Sequence, residues 1–196
     1  ILLPHLKSGI CVKIADDIVA GGNTIDEAIE NWSQIISTLD QNNLKISMEK
    51  TIIFPEQVDI LSWQWKQGGF LAPSPHRKLA LENIKHEELL TVKDLRSWLG
   101  LYKTFIDCTP NLTNLLDKFD QFVGSRDSKD DITWTDDFIA AFRKAQDQIS
   151  KMKDLYLPTE HDQLIIVCDG ARNPPAVGMV LQAKLPSGQI RIVKYY

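Results

Sequence analysis

From residue 10 the chain alternates between short apolar runs and polar breaks. Residues 10–15 (Ile10-Cys11-Val12-Lys13-Ile14-Ala15) and 18–22 (Ile18-Val19-Ala20-Gly21-Gly22) flank the pair Asp16-Asp17. Two apolar arms around a polar pair predict a tight β-hairpin with both carboxylates at its tip. Thr24 then stands as the N-cap of a helix, and Glu27 three residues on completes a capping-box pattern, reaching back to a free N–H. Ile25, Ala28, Ile29, Trp32, Ile35, Ile36 and Leu39 recur at helical spacing as one apolar stripe, which Gln41-Asn42-Asn43 ends. Residues 44–48, 51–54 and 58–66 read as strands, and Gly68-Gly69 turns the chain into Phe70-Leu71. Along 58–66, Leu61, Trp63 and Trp65 fall on one face and Ser62 and Gln64 on the other.

Pro73-Ser74-Pro75 marks a boundary, with Ser74 placed as an N-cap and Pro75 at the first position of a short helix over about 75–84. Thr91-Val92-Lys93-Asp94 is a second capping box and opens a longer helix that ends before Pro110. Residues 111–123 hold room for one more short helix. The polar stretch 124–131 reads as a linker, and Thr135 caps an amphipathic helix carrying Phe138, Ile139, Phe142, Ala145, Ile149 and Met152 on one side. The last third changes period. Residues 163–168 form an unbroken apolar strand ending at Asp169, 176–183 a second, and 189–196 a third, with Pro186-Ser187-Gly188 as the intervening turn. Strands, then helices, then strands predict an α+β chain.

Composition narrows the class. The 196 residues are 43% hydrophobic and 24% charged, with 10 Gly and 9 Pro, as in ordinary globular domains. No apolar run approaches the ~20 residues that cross a bilayer. Cys11, Cys108 and Cys168 lie far apart and are odd in number. Neither a disulfide framework nor a Cys-x-x-Cys site is supported, and a reducing, intracellular setting is expected. Four scattered histidines offer no metal-ligand spacing. The net charge of −4 counts against a general nucleic-acid binder and leaves a local basic face open. A start at Ile1 and an end within a strand-like run lead to the expectation of a piece of a larger polypeptide.

Asp16-Asp17 is the strongest chemical feature. Adjacent carboxylates at a hairpin tip repel, and a hard divalent cation with oxygen ligands would neutralise them. A plain turn explains the same dipeptide, so its context has to decide. On the helix from Val92, an apolar arc of Val92, Leu95, Trp98, Leu99, Tyr102, Phe105 and Ile106 adjoins a basic arc of Lys93, Arg96 and Lys103, with Gly100 between. Such an arc suits a phosphate backbone; a solvated helix face accounts for it equally well. Arg77 and Lys78 would extend the track.

The series of motifs resembles the second half of a reverse transcriptase of long-terminal-repeat retrotransposon polyproteins. Ile14-Ala15-Asp16-Asp17 stands where that family has Tyr-x-Asp-Asp, and Lys50, in Ser47-Met48-Glu49-Lys50, stands at the family's lysine beside the incoming nucleotide. Val58-Asp59-Ile60-Leu61-Ser62-Trp63 resembles the strand pair that grips the primer end, with Ser62 where the family has Gly. Residues 91–102 resemble the thumb signature, and Ile132-Thr133-Trp134-Thr135 the segment leading to ribonuclease H. Val167-Cys168-Asp169-Gly170-Ala171 resembles the first ribonuclease H strand.

The resemblance implies a partial palm over 1–72, a helical thumb over 73–123, a linker and connecting helix over 124–158, and the start of a ribonuclease H-like antiparallel sheet over 159–196. It implies RNA-directed DNA synthesis by the parent polyprotein, with Mg²⁺ (Mn²⁺ as a substitute) on Asp16 and Asp17. Lys50 would serve the nucleotide, and Ser62, Arg77, Lys78, Lys93, Arg96 and Lys103 the template–primer. Asp169 would be a ribonuclease H metal ligand. The implied partners are an RNA/DNA template–primer, deoxynucleotides and the remaining polyprotein domains, with no membrane, in the cytoplasm or in virus-like particles. A third palm carboxylate would lie before Ile1, so the isolated chain is expected to make no DNA. Two other classes stay open: a non-catalytic nucleic-acid-binding remnant, and a protein-interaction module using Trp63 and Trp65.

Overall fold

The computed structural model describes residues 1–110, 115–173 and 175–196. The chain forms two compact units, Ile1–Phe54 and Pro55–Tyr196. The family resemblance places the first boundary at 72/73. Compactness divides the chain earlier because the strands after Pro55 pair with one another and then with residues near 155.

In the first unit, α1 (Leu3–Lys7) leads into the hairpin of β1 (Cys11–Ile14) and β2 (Asp17–Ala20), followed by α2 (Ile25–Gln41). Thr24 Oγ1 accepts from the Glu27 N–H at 3.1 Å. Glu27 reaches back one residue further than the capping box predicts, its carboxylate accepting from the Asn23 N–H at 2.7 Å. Gly22 is fixed by space: a Cβ there would lie 2.6 Å from the Ala28 nitrogen, so the chain enters the helix too closely for any side chain. Leu2, Cys11, Ile35 and Leu39 form the small core. The amino-terminal half of the α2 stripe is bare, with Ile25 66% and Ile29 49% exposed.

The strands expected at 44–48 and 51–54 do not form. Met48–Lys50 is a single 3₁₀ turn and the flanking residues are irregular. Of their apolar side chains, Leu44, Met48, Ile52, Ile53 and Phe54 are exposed and Ile46 packs against the small core. A strand is stabilised by a paired neighbour, and among the described residues the only ladder in this unit is β1–β2.

In the second unit, β3 (Gln57–Ile60), β4 (Trp63–Lys66), β5 (Phe70–Pro73) and β6 (Leu155–Tyr156) form an antiparallel sheet in that order. The single strand expected over 58–66 is therefore two strands, with Ile60 opposite Trp63 and Leu61-Ser62 as a two-residue turn. Both turn residues are left-handed, at φ +50° and +72°. This backbone is typical of Asn-Gly, which is why Leu-Ser gave no turn signal. The helices follow: α3 (Pro75–Asn83), α4 (Val92–Thr104), α5 (Asp117–Gly124) and α6 (Asp136–Ile149). The expected helix over 111–123 appears as α5; residues 111–114 lie outside the described residues.

The helical core gathers Leu81, Val92, Leu95, Trp98, Tyr102 and Phe105 with Phe119, Phe138, Phe142, Ala145 and Ile149. The arc read on α4 is this core's centre, except Ile106, which is 42% exposed because the helix ends at Thr104. The second capping box is complete: Thr91 N–H and Oγ1–H both donate to Asp94, at 2.9 and 2.8 Å. These bonds, the backbone one first, hold the Asp94 carboxyl below the ordinary aspartate value. The stability they lend is present above the unfolded-state value and is lost as pH falls through the folded-state one.

The polar stretch 124–131 is tied down onto α4 rather than running free. Val92 N–H donates to Asp130 O and Lys93 N–H to Ser128 O, and Thr91 bridges to Asp131. A third sheet, β7 (Gln163–Arg172), β8 (Pro175–Lys184) and β9 (Ile190–Tyr195), closes the chain. No helix among the described residues is long and apolar enough to cross a membrane.

Candidate functional site

The β1–β2 ladder pairs Cys11 with Ala20 and closes at Ile14 opposite Asp17, leaving Ala15-Asp16 as the two-residue loop. Ala15 is left-handed at φ +49°. Asp16 therefore lies in the turn itself and Asp17 on the first residue of the return strand. Both are exposed. Lys13, the one nearby cation, points its ammonium at the Ala15 carbonyl instead of at either carboxylate. Among the described residues no ion pair involves Asp16 or Asp17. The result is two free carboxylates on a short rigid ladder, the donor chemistry of a hard-cation site. No third His, Cys, Asp or Glu joins them among the described residues. Lys50, in the same compact unit, ends the 3₁₀ turn with its side chain exposed.

Ser62 occupies the left-handed turn between β3 and β4, and its carbonyl accepts from the Ser74 N–H at 2.8 Å. A φ of +72° is a backbone that glycine adopts without cost, which gives a physical reason for a glycine at this place in the resembling motif. Trp63 packs edge-on against Phe105 at 5.1 Å, whereas Trp65 is 42% exposed.

The basic arc on α4 divides. Lys93 is exposed. Arg96 is half-buried and engaged by its own chain: its guanidinium donates to Ser128 Oγ at 2.6 Å and to the carbonyls of Val123 and Arg126. Lys103 donates to both oxygens of Asp120, at 2.6 and 2.8 Å. Arg77 is exposed on α3, and Lys78 lies 4.0 Å from Glu82. A helical projection shows which face a cation occupies; it cannot show that a loop 30 residues later supplies acceptors to it.

Replacing Arg96 by alanine is accordingly expected to cost about 1–2 kcal/mol of stability, since it strands the partly buried Val123 carbonyl. The salt dependence of any polyanion binding should stay unchanged, while Lys93→Ala should reduce its slope by about 1. Thermal melts and a salt titration of hybrid affinity separate the two roles; a reduced slope in the Arg96 variant would return it to the phosphate track.

Asp169 is not at a strand end. The first strand of the terminal sheet runs ten residues, and Asp169 sits within it opposite Gly178, exposed. Among the described residues no group of three or more acids, His or Cys forms around it. The closure of residues 124–131 differs from the linker expected there, although Asp127-x-x-Asp130 carries a signal for it. Asp130 accepts from the Asp127 N–H, and Asp127 from the Lys129 N–H, so the loop folds on itself.

No family model matches the chain. It is 29% identical over 186 residues, 92% of its length, to the putative enzymatic polyprotein of Cassava vein mosaic virus, covering 28% of that protein. It is 24% identical over 192 residues to the enzymatic polyprotein of Figwort mosaic virus (strain DxS), covering 27% of it. The genome polyprotein of Petunia vein clearing virus (isolate Shepherd) matches at 22% over 150 residues, 7% of its length. The chain thus spans less than a third of each of these relatives. Among solved structures it superposes on a foamy viral protease-reverse transcriptase in complex with an RNA/DNA hybrid. There the TM-score is 0.76 and the identity 17%, over 99% of this chain and 25% of that one. The same enzyme in complex with dsDNA gives 0.75 and 18%, over 97% and 39%. By fold this chain is of the reverse transcriptase type, and by sequence it is homologous to a stretch of viral enzymatic polyproteins.

Proposed function

We propose that this chain is part of an RNA-directed DNA polymerase within a longer retroelement polyprotein, and that Asp16 and Asp17 are its metal-holding carboxylates. One observation carries the reading: in a chain of this fold, a hairpin tip presents two adjacent carboxylates that no ammonium neutralises. Their oxygens fit Mg²⁺, which takes one or two protein carboxylates and keeps several waters; Mn²⁺ accepts the same donors. When bound, the metal supplies charge neutralisation at the attacking 3′-hydroxyl and the departing pyrophosphate.

The remaining roles belong to the chain. The antiparallel ladder of β1 and β2 holds the two carboxylates in fixed relation. Lys50 serves the phosphates of the incoming nucleotide, and the turn at Ser62 lies toward the primer strand. Lys93, Arg77 and Lys78 contact the template–primer backbone without reading sequence. Arg96 and Lys103, engaged by acceptors of the chain itself, support that surface. The division into palm (1–72), thumb (73–123), connecting segment (124–158) and ribonuclease H-like sheet (159–196) is part of the same proposal. Asp169 brings a single carboxylate to that last part, and no step is assigned to it.

The test is primer extension on an RNA template by the longer polyprotein enzyme carrying Asp16→Asn or Asp17→Asn. Each is expected to lower the rate about a hundredfold or more, the scale of losing a preorganised charge-stabilising group. Hybrid affinity should stay within about twofold, since phosphate contacts dominate it. Undiminished extension in either variant would overturn the assignment. Extension by the isolated 196-residue chain would show that it holds everything the chemistry needs.

A further inference from the structure

The terminal sheet meets the rest of its compact unit chiefly through β9. β9 packs against β6 and against the turn Ile106–Cys108 that follows α4. It makes two cationic contacts there. Lys194 Nζ lies 3.1 Å from the Asp107 carboxylate, and the Arg191 guanidinium sits over the Phe70 ring at 5.1 Å. Phe70 in turn packs against Tyr156 at 5.7 Å. Arg191 Nε is buried and has no hydrogen-bond partner among the described residues, while its Nη2 donates to Gln189 Oε1 at 2.8 Å and the Phe70 face attracts the cation.

Beneath this contact lies Cys108, fully buried. Its carbonyl accepts from the Lys153 N–H at 2.9 Å, and the next residue, Asp154, pairs with Lys66 on β4 at 2.8 Å. β9 packs on the turn that carries Cys108; burial, and then the Cys108 thiol, raise the Tyr195 hydroxyl on that strand. Three segments distant in sequence therefore converge on one residue: the end of α4, the lead into β6, and β9.

We propose that β9 is a clasp. Lys194 and Arg191 fasten the terminal sheet to the turn after α4 and to β5, so that sheet and helical core move as one body and separate only when β9 lifts. The inference goes beyond the polymerase reading and does not depend on it, because every contact lies within one compact unit and none involves nucleic acid.

Alkylation of the three cysteines tests it. The intact chain is treated with iodoacetamide, and each site's rate is followed by peptide mass spectrometry. Cys168 is exposed and sets the unprotected rate; Cys11 is buried in the other compact unit and reports any general loosening. Lys194→Glu replaces attraction by repulsion and is expected to speed Cys108 about fivefold, with Cys11 and Cys168 unchanged. Fivefold corresponds to about 1 kcal/mol, the upper end for a partly exposed ion pair. The exchanged pair Asp107→Lys with Lys194→Glu is expected to restore slow labelling, and should Lys194→Glu fail to fold, Lys194→Gln gives a smaller increase of about twofold. An unchanged Cys108 rate in the single variants, or no recovery in the exchanged pair, overturns the proposal.

Discussion

Trp98→Ala is expected to remove about 3–5 kcal/mol from the stability of the unit Pro55–Tyr196, the range for truncating a large buried aromatic. Trp98 is only 4% exposed. Its ring meets Phe142 at 4.7 Å, Tyr102 at 5.2 Å and Phe119 at 5.9 Å, so one side chain bridges α4, α5 and α6. The loss joins the transfer free energy of the indole to a cavity that rigid neighbouring rings cannot fill. Urea denaturation followed by circular dichroism measures it. Trp65→Ala serves as the comparison, since that indole is 42% exposed on β4 and its truncation should cost under 1 kcal/mol. Equal losses in the two variants would show that the aromatic cluster is not the core of this unit.

Raising the pH from 9 to 12 is expected to destabilise the same unit by about 4 kcal/mol through Cys108 alone. Burial, then the charges of Asp107 and Asp154, pushes its thiol from 9.0 up to about 12. A value raised in the folded state means that the unfolded chain releases the proton first. The contribution is thus intact below about 9 and drains away as pH climbs to about 12; that span at 1.36 kcal/mol per pH unit yields the figure. The Tyr102 hydroxyl, buried and donating to the Ala145 carbonyl at 2.8 Å, is also raised and adds to the fall at the alkaline end. Denaturation midpoints across this range should decline steeply in the parent chain and markedly less in Cys108→Ala. Parallel curves would mean that the thiol ionises without opening the structure.

Local signals carried far where one segment answered for itself. Thr24 and Thr91 cap the helices they were expected to cap, because a hydroxyl and a free N–H three residues apart need nothing from elsewhere. The Asp16-Asp17 hairpin followed from two apolar arms and a polar pair. Local signals stop where a distant partner, or its lack, decides. Residues 44–54 have strand composition and no strand to pair with. Residues 58–66 have unbroken alternation and a turn built from Leu61-Ser62, a pair whose left-handed backbone composition does not announce.

The cations show the same division. Lys93, Arg96 and Lys103 share one arc by periodicity, and that much is arithmetic on 3.6 residues per turn. Which of them is already engaged depends on Ser128 and the Val123 and Arg126 carbonyls for Arg96, and on Asp120 for Lys103, which stays exposed. The amino-acid order alone determined the elements, their caps, the apolar faces and the position of the paired acids, since each arises from neighbours within a few residues. Only the tertiary structure decided which charges remain free and which strands find partners, because both depend on groups brought together from 17 to almost 90 residues away.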